Sequence, residues 1–227
     1  MAHTGKLFVA RHHESEWNKE GLWTGSRDIG LTPYGFEMSE QMGHLLKGYC
    51  NIEGEGQSCH INHVFLSTQC RTHETYEGML RGLEVPAAMK ENIPVDQSPA
   101  LNERDYGDYT GKNKWQVKKE IGDKAFDDIR RGWDVPVPHG ETLKMVYERV
   151  VPYYLSTILP ILRTGKNVLI VSSGNAIRSL MKYIESLSDA EICDVEMLFG
   201  GIVVYDVDEQ GKMKHKKTLE VESKVNA

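Results

Sequence analysis

Four clusters of polar residues in this sequence carry the side-chain types that handle a phosphoryl group. Arg11-His12 ends the apolar run Leu7-Phe8-Val9-Ala10, and Arg71 follows Val64-Phe65-Leu66 at a short remove. Glu103 and Tyr106 lie in the charged segment Ala100 to Gly107, and Ser173-Gly174-Asn175 follows Val168 to Val171. A guanidinium fork can hold phosphoryl oxygens, and an imidazole nitrogen beside it can attack phosphorus. A glutamate can take or give the proton of a reacting hydroxyl. Each residue alone has a commonplace reading: an arginine at a helix start forms an ion pair, a strand-end histidine is a satisfied polar group, a loop glutamate is solvated. Together, at the ends of apolar blocks, they describe a crevice that binds an anion.

The elements that must position these clusters follow from periodicity. Leu7–Ala10, His63–Ser67 and Asn167–Val171 are short apolar runs that predict buried strands. Thr32-Pro33 starts a helix, with threonine as N-cap and proline at the first helical position. Met38, Met42, Leu45, Leu46 and Tyr49 mark its buried face. A second helix follows Arg71, which places that arginine where a helix dipole favours an anion. Glu16–Gly30, Asn51–Ser58 and Pro94–Pro99 read as irregular segments. Lys112–Gly132 reads as one or two polar helices, and Val135–Gly140 as a rigid connector. Glu141-Thr142 opens a long helix with Leu143, Val146, Val150 and Tyr154 on one side. Another helix after Ser173 buries Ile177, Leu180, Met181 and Ile184, and Ile202–Val207 with Lys214–Val221 forms a closing hairpin. Strands alternating with helices predict an α/β fold, a mostly parallel central sheet flanked by helices on both faces. No linker divides the chain, so residues 1–227 are expected to form a single domain.

The totals narrow the class. A net charge of -6 argues against general nucleic-acid binding, so positive potential at an anion site must be local. Cys50, Cys59, Cys70 and Cys193 show no metal-site spacing, so no metal is expected, and reduced thiols in a cytoplasmic protein are the expectation. The N-terminal apolar block is too short for a signal peptide, and no stretch is long enough to span a bilayer.

The chain resembles the 2,3-bisphosphoglycerate-dependent phosphoglycerate mutases of the histidine phosphatase superfamily. The matching residues are Arg11-His12 with Glu14-Ser15-Glu16-Trp17-Asn18, Thr24-Gly25, Ser67 to Arg71, Leu101 to Gly107, Thr110 to Lys114, Arg130-Arg131 and Gly174-Asn175. The direct passage from Arg131 to Gly140-Glu141-Thr142-Leu143 resembles the family's shorter form. The resemblance implies a histidine phosphatase-like fold and interconversion of 3-phosphoglycerate and 2-phosphoglycerate through a phosphohistidine at His12. It implies that Arg11 and Arg71 hold the phosphoryl oxygens and that Glu103 is the general acid and base. Ser15, Asn18, Thr24, Gly25, Arg104, Tyr106, Lys114, Arg130, Arg131, Gly174 and Asn175 are the implied substrate residues. It implies 2,3-bisphosphoglycerate as the phosphoryl donor that primes His12, a small phosphorylated carboxylate as substrate, and no nucleic-acid or membrane partner. Members occur as monomers, dimers and tetramers, which leaves a homo-oligomer open.

Two positions depart from that pattern. Ser173 stands where the family has a histidine of the catalytic pair, and His13 stands where the family has glycine. A hydroxyl donates a hydrogen bond but carries no charge, and losing one such group typically costs about 10²–10³ in rate. A slowed mutase is therefore expected, with a phosphatase-like or non-catalytic relative that binds phosphorylated metabolites as the alternative. Side chains at successive strand positions point opposite ways, so His13 is expected to face away from His12. Replacement of the lost imidazole by His13 would instead need its ring beside His12 and Arg71.

Overall fold

The computed structural model describes residues 4–52, 60–86 and 90–221. A six-stranded sheet runs in the order β3-β2-β4-β1-β5-β6, with β1 Lys6–Arg11, β2 His63–Leu66, β3 Val95–Gln97, β4 Val168–Ser172, β5 Ile202–Val207 and β6 Met213–Leu219. The pairings β1–β4, β2–β4 and β2–β3 are parallel, whereas β5 runs antiparallel to both β1 and β6. The alternating faces of these strands feed two cores. Leu7, Val9, Ile170 and Tyr205 pack with Val146, Val150, Ile177 and Leu180 on one face. Phe8, Ala10, Leu169 and Val204 pack with Met42, Leu46, Tyr76 and Met79 on the other.

Register brings the polar clusters together. Arg11 pairs with Ser172, and Leu66 pairs with Val171. The carboxyl ends of β1, β2 and β4 therefore share one sheet edge, where open α/β sheets bind ligands. Ile202 pairs with Ala10, so the loop entering β5 arrives at the same edge from the opposite direction.

The helices are α1 Glu16–Lys19, α2 Pro33–Ile52, α3 Cys70–Gly82, α4 Lys114–Ile121, α5 Asp123–Arg131, α6 Leu143–Tyr153, α7 Leu159–Leu162, α8 Gly174–Ile184 and α9 Glu191–Asp194. Thr32 caps α2 by accepting from the Gly35 amide at 2.9 Å. Gly122, at φ 83°, separates α4 from α5, so the polar segment is two helices. A third cluster around Trp23, Val117, Phe126, Ile129 and Val137 holds these two helices over the sheet edge.

Several local expectations are corrected. Residues 16–19 are helical because Ser15 and Asn18 form a reciprocal capping box. Residues 95–97 form an exposed edge strand, too short for a period to show. Between α6 and α7, Tyr154–Ile158 takes a π-helical turn. Pro152 and Pro160 flank it, and each lacks the amide N–H that a regular ladder needs. The predicted loop 51–58 begins as the last turn of α2, and its remainder lies outside the described residues. Cys50 is disulfide-bonded, which overturns the expectation of four reduced thiols. Cys70 and Cys193 are free, and Cys59 lies outside the described residues. Among the described residues, no helix is long and apolar enough to cross a membrane.

Helices α2 and α3 touch backbone to backbone. A Cβ on Gly82 would fall 1.9 Å from the Glu40 carbonyl oxygen, and one on Gly43 would fall 2.2 Å from that of Met79. Since α3 carries Arg71, this approach sets where the guanidinium reaches. Gly82→Ala is expected to lower unfolding stability by about 1–3 kcal/mol through overpacking, read from urea denaturation midpoints. An unchanged midpoint would show that the helices can separate at no cost.

Candidate active site

One cavity at this sheet edge is lined by thirteen of the sixteen residues singled out from sequence: Arg11, His12, Asn18, Thr24, Gly25, Arg71, Glu103, Tyr106, Lys114, Arg130, Arg131, Gly174 and Asn175. The other three, Ser15, Arg104 and Ser173, are fully buried and do not line it. Ser15 caps α1 and its hydroxyl meets Asn18 Oδ1 at 2.8 Å, so it orients a wall residue. Arg104 donates to the Ile129 carbonyl at 2.7 Å and lies against the Tyr106 ring, 4.5 Å from its centroid. It anchors the end of α5 from behind. Ser173 Oγ has no hydrogen-bond partner. The short side chain stays inside the fold, and the wall passes directly from Arg11 to Gly174 and Asn175.

His12 is buried at the carboxyl end of β1. Its Nδ1 lies 2.6 Å from the His13 carbonyl oxygen. A carbonyl only accepts, so Nδ1 carries the proton, and in the neutral ring the lone pair sits on Nε2. Burial, then the charges of Arg71 and Arg11, hold the His12 pKa well below the ordinary histidine value. The ring is therefore neutral at physiological pH, the form in which it can act as a nucleophile.

His13 is turned to the other side. Its ring meets Tyr34 edge-on, with centroids 5.4 Å apart, and its Cδ2 lies 2.7 Å from where a Gly200 Cβ would be. Its Nδ1 accepts from the Glu14 amide at 2.8 Å. Burial and the charge of Arg11 push its pKa down to about 4. It does not line the cavity, so it does not stand in for the missing imidazole.

Glu103 is held from several directions. Its Oε1 accepts from the Arg104 amide at 2.6 Å and from Asn175 Nδ2 at 2.9 Å, beside the N-terminus of α8. Its own amide donates to Gln69 Oε1 at 2.9 Å. Arg149 grips the segment that carries it, donating to the carbonyls of Ala100 at 2.8 Å, Asn102 at 2.9 Å and Glu103 at 3.2 Å. The same guanidinium pairs bidentately with Glu141 at 2.8 and 2.9 Å.

Arg11 and Arg71 are fixed by backbone carbonyls. Arg11 donates to Met197 O and its Cζ lies 3.8 Å from the Phe199 ring centroid. Arg71 donates to Arg27 O at 2.9 Å and Gly25 O at 3.3 Å. The Nε atoms of both, and the Thr24 hydroxyl, are buried without a hydrogen-bond partner, which leaves donors for an anion's oxygens. Burial lowers the Arg11 pKa to about 10 despite the opposing charges of Glu103 and Glu196. Lys114 falls to about 8, through burial and then the charges of Arg130 and Arg11. Among the described residues, no group of His, Cys, Asp and Glu side chains is arranged to hold a metal.

Trp23, Arg178, Glu196 and Met197 also line the cavity and were not singled out from sequence. Arg178 donates to Asn175 Oδ1 at 3.0 Å and to the Arg131 carbonyl at 2.9 Å. Its i+3 spacing from Asn175, one turn along the same helix face, is a signal that could have found it. Nothing comparable marks Glu196, which reaches the cavity from an irregular loop.

The sequence profile of the Histidine phosphatase superfamily (branch 1) matches residues 7–218. A 2,3-bisphosphoglycerate-dependent phosphoglycerate mutase from Parvibaculum lavamentivorans is 36% identical over 213 residues, covering 94% of this chain and 95% of the relative. A phosphoglycerate mutase from Schizosaccharomyces pombe is 36% identical over 214 residues, again covering 94% and 95%. Among solved structures, the alpha-ribazole phosphatase from Shigella flexneri has the same fold, with a TM-score of 0.69 at 20% identity over 90% of this chain and 92% of that one. A mycobacterial glucosyl-3-phosphoglycerate phosphatase gives a TM-score of 0.69 at 18% identity, over 88% and 92%. With a strand-end histidine beside Arg11 and Arg71 in one cavity and a profile match along nearly its whole length, the chain belongs to the histidine phosphatase superfamily.

Proposed function

We propose that this chain is a 2,3-bisphosphoglycerate-dependent phosphoglycerate mutase, acting through a phosphohistidine at His12 and slowed by Ser173. The observation that carries the reading is the state of His12: neutral, with Nδ1–H tied to the His13 carbonyl at 2.6 Å and Nε2 left to attack. The names of the relatives supply the substrate, and the cavity suits it. Arg11 and Arg71 serve the phosphoryl end, while Lys114, Arg130 and Arg131 suit the remaining negative charge of a phosphorylated carboxylate. We read the protein as cytoplasmic, as this metabolism requires, and as a single domain.

Priming transfers a phosphoryl group from 2,3-bisphosphoglycerate: the His12 Nε2–P bond forms, the P–O bond to the donor breaks, and Glu103 gives its proton to the leaving oxygen. In turnover, a hydroxyl oxygen of 3-phosphoglycerate attacks the phosphohistidine: the new O–P bond forms, the His12 Nε2–P bond breaks, and the hydroxyl proton passes to Glu103. The bisphosphorylated product turns over in the cavity and returns its other phosphoryl group to His12, taking the proton back from Glu103 and leaving 2-phosphoglycerate. Arg11 and Arg71 hold fixed positive charge where the transferring group accumulates negative charge. Arg104, Gln69 and Arg149 keep the Glu103 carboxylate in place between transfers. The missing imidazolium at position 173 weakens that stabilisation. It favours a second reading, in which water intercepts the phosphohistidine and the chain acts as a phosphatase.

An enolase-coupled assay primed with 2,3-bisphosphoglycerate is expected to show mutase turnover above a His12→Ala control, and Ser173→His to raise kcat about 10²-fold. Wild-type activity no greater than that control would refute the mutase, and phosphate release without coupled turnover would establish the phosphatase. A second expectation concerns pH. In the free protein Lys114 loses its proton above about pH 8, while an anion binds the ammonium form. Affinity for 3-phosphoglycerate is therefore expected to fall about tenfold between pH 7 and pH 9, measured by calorimetry. A flat affinity over that range would show that Lys114 does not contact the ligand.

A further inference from the structure

Glu196 puts a negative charge on the wall of an anion site. Among the described residues lining the cavity, it and Glu103 are the carboxylates. Glu103 is engaged with Asn175 and the Arg104 amide. Glu196 instead faces one of the cations, with Oε1 2.8 Å from Arg131 Nη2.

Both partners are held in place. The Arg131 carbonyl is taken by Arg178 at 2.9 Å, so the end of α5 is fixed. On the other side, Arg178 holds the Ile192 carbonyl at 2.7 Å and Arg11 holds the Met197 carbonyl, so the loop bearing Glu196 is pinned at each end. The side chains are 30% and 38% exposed, which puts the pair toward the mouth of the cavity, away from buried His12.

We infer that Glu196 is a specificity-determining residue that competes with the outer anionic group of the substrate for Arg131. The inference rests on the reading that the cavity binds a phosphorylated carboxylate. Glu196 takes one guanidinium nitrogen of Arg131, so an incoming anion must displace it or share the guanidinium with it; either way it lies beside a like charge, and the repulsion grows with the charge of that outer group. Glu196 thus penalises a second phosphate more than a carboxylate. It favours release of the bisphosphorylated species over its retention. Glu196 also acts on Arg11 through its charge but pairs directly with Arg131, so at the inner end, where Arg11 and Arg71 hold the phosphoryl group, the effect is through space and weaker.

The test is binding measured without turnover, by calorimetry with three probes, the bisphosphoglycerate titrations being run in a His12→Ala background so that no phosphoryl group is transferred. Glu196→Gln is expected to tighten 3-phosphoglycerate about three- to tenfold while changing the affinity for inorganic phosphate by less than about twofold. Bisphosphoglycerate should tighten more than 3-phosphoglycerate. In an Arg131→Gln background, the Glu196→Gln effect on 3-phosphoglycerate should shrink to less than about twofold, because the contested cation is gone. Unchanged 3-phosphoglycerate affinity in Glu196→Gln, or an equal gain in the Arg131→Gln background, would overturn the proposal. If wild type turns over 3-phosphoglycerate and Glu196→Gln binds it no more tightly, this inference alone fails. If neither protein binds 3-phosphoglycerate, the functional reading fails with it.

Discussion

Six cationic side chains, counted among the described residues, line one cavity: Arg11, Arg71, Lys114, Arg130, Arg131 and Arg178. Their mutual repulsion in a partly buried site is the constraint on which the rest of the structure depends. Burial first, and then neighbouring cations, lower the pKa of Lys114 to about 8 and of Arg178 to about 10. A chain whose net charge is -6 gathers this charge locally and restrains it with backbone carbonyls. Arg11 binds Met197 O, Arg71 binds Gly25 O and Arg27 O, and Arg178 binds Arg131 O and Ile192 O. Arg104 and Arg149 do the same from outside the cavity, at Ile129 O and at the carbonyls of Ala100, Asn102 and Glu103. These contacts offset part of the desolvation of each of these guanidinium groups and tie the segments that bear them to their neighbours. The site is thereby assembled before an anion arrives.

That preassembly shapes the state of each reactive group. Burial, and then the charges of Arg71 and Arg11, keep His12 neutral, and the His13 carbonyl chooses the tautomer that exposes Nε2. Carbonyls thus serve two purposes here, holding cations and setting a proton. Glu103 sits at the N-terminus of α8, where Asn175 Nδ2 donates to its Oε1 at 2.9 Å. A histidine at position 173, which the resemblance to the mutases implies for the family, would add an imidazolium next to this set. Its replacement by a serine turned into the fold removes one donor and leaves the other restraints intact.

Much of this was legible in the sequence, for a physical reason. The three buried parallel strands announce themselves as apolar blocks, and each ends in chemistry-bearing residues. Parallel register then forces Arg11, Arg71 and Gly174-Asn175 onto one edge. Arg130 and Arg131 were legible as a pair at the end of a polar helix. What was not legible is contact that depends on irregular chain. Glu196 reaches the cavity from the loop before β5, whose path is set by antiparallel pairing of Ile202 with Ala10. Strand β3 is three exposed residues, α1 exists because of a capping box, and the disulfide at Cys50 follows from no spacing rule. The direction of His13 was legible from strand alternation, and its packing against Tyr34 and Gly200 follows from it.

The central claim is that His12 is a neutral nucleophile which carries the phosphoryl group. It is tested most directly by incubating the protein with 2,3-bisphosphoglycerate and mapping phosphate by mass spectrometry under alkaline conditions. The account predicts an acid-labile, base-stable phosphate on His12, absent from His12→Ala and discharged on adding 3-phosphoglycerate. A protein that binds the bisphosphate but never phosphorylates His12 would contradict it.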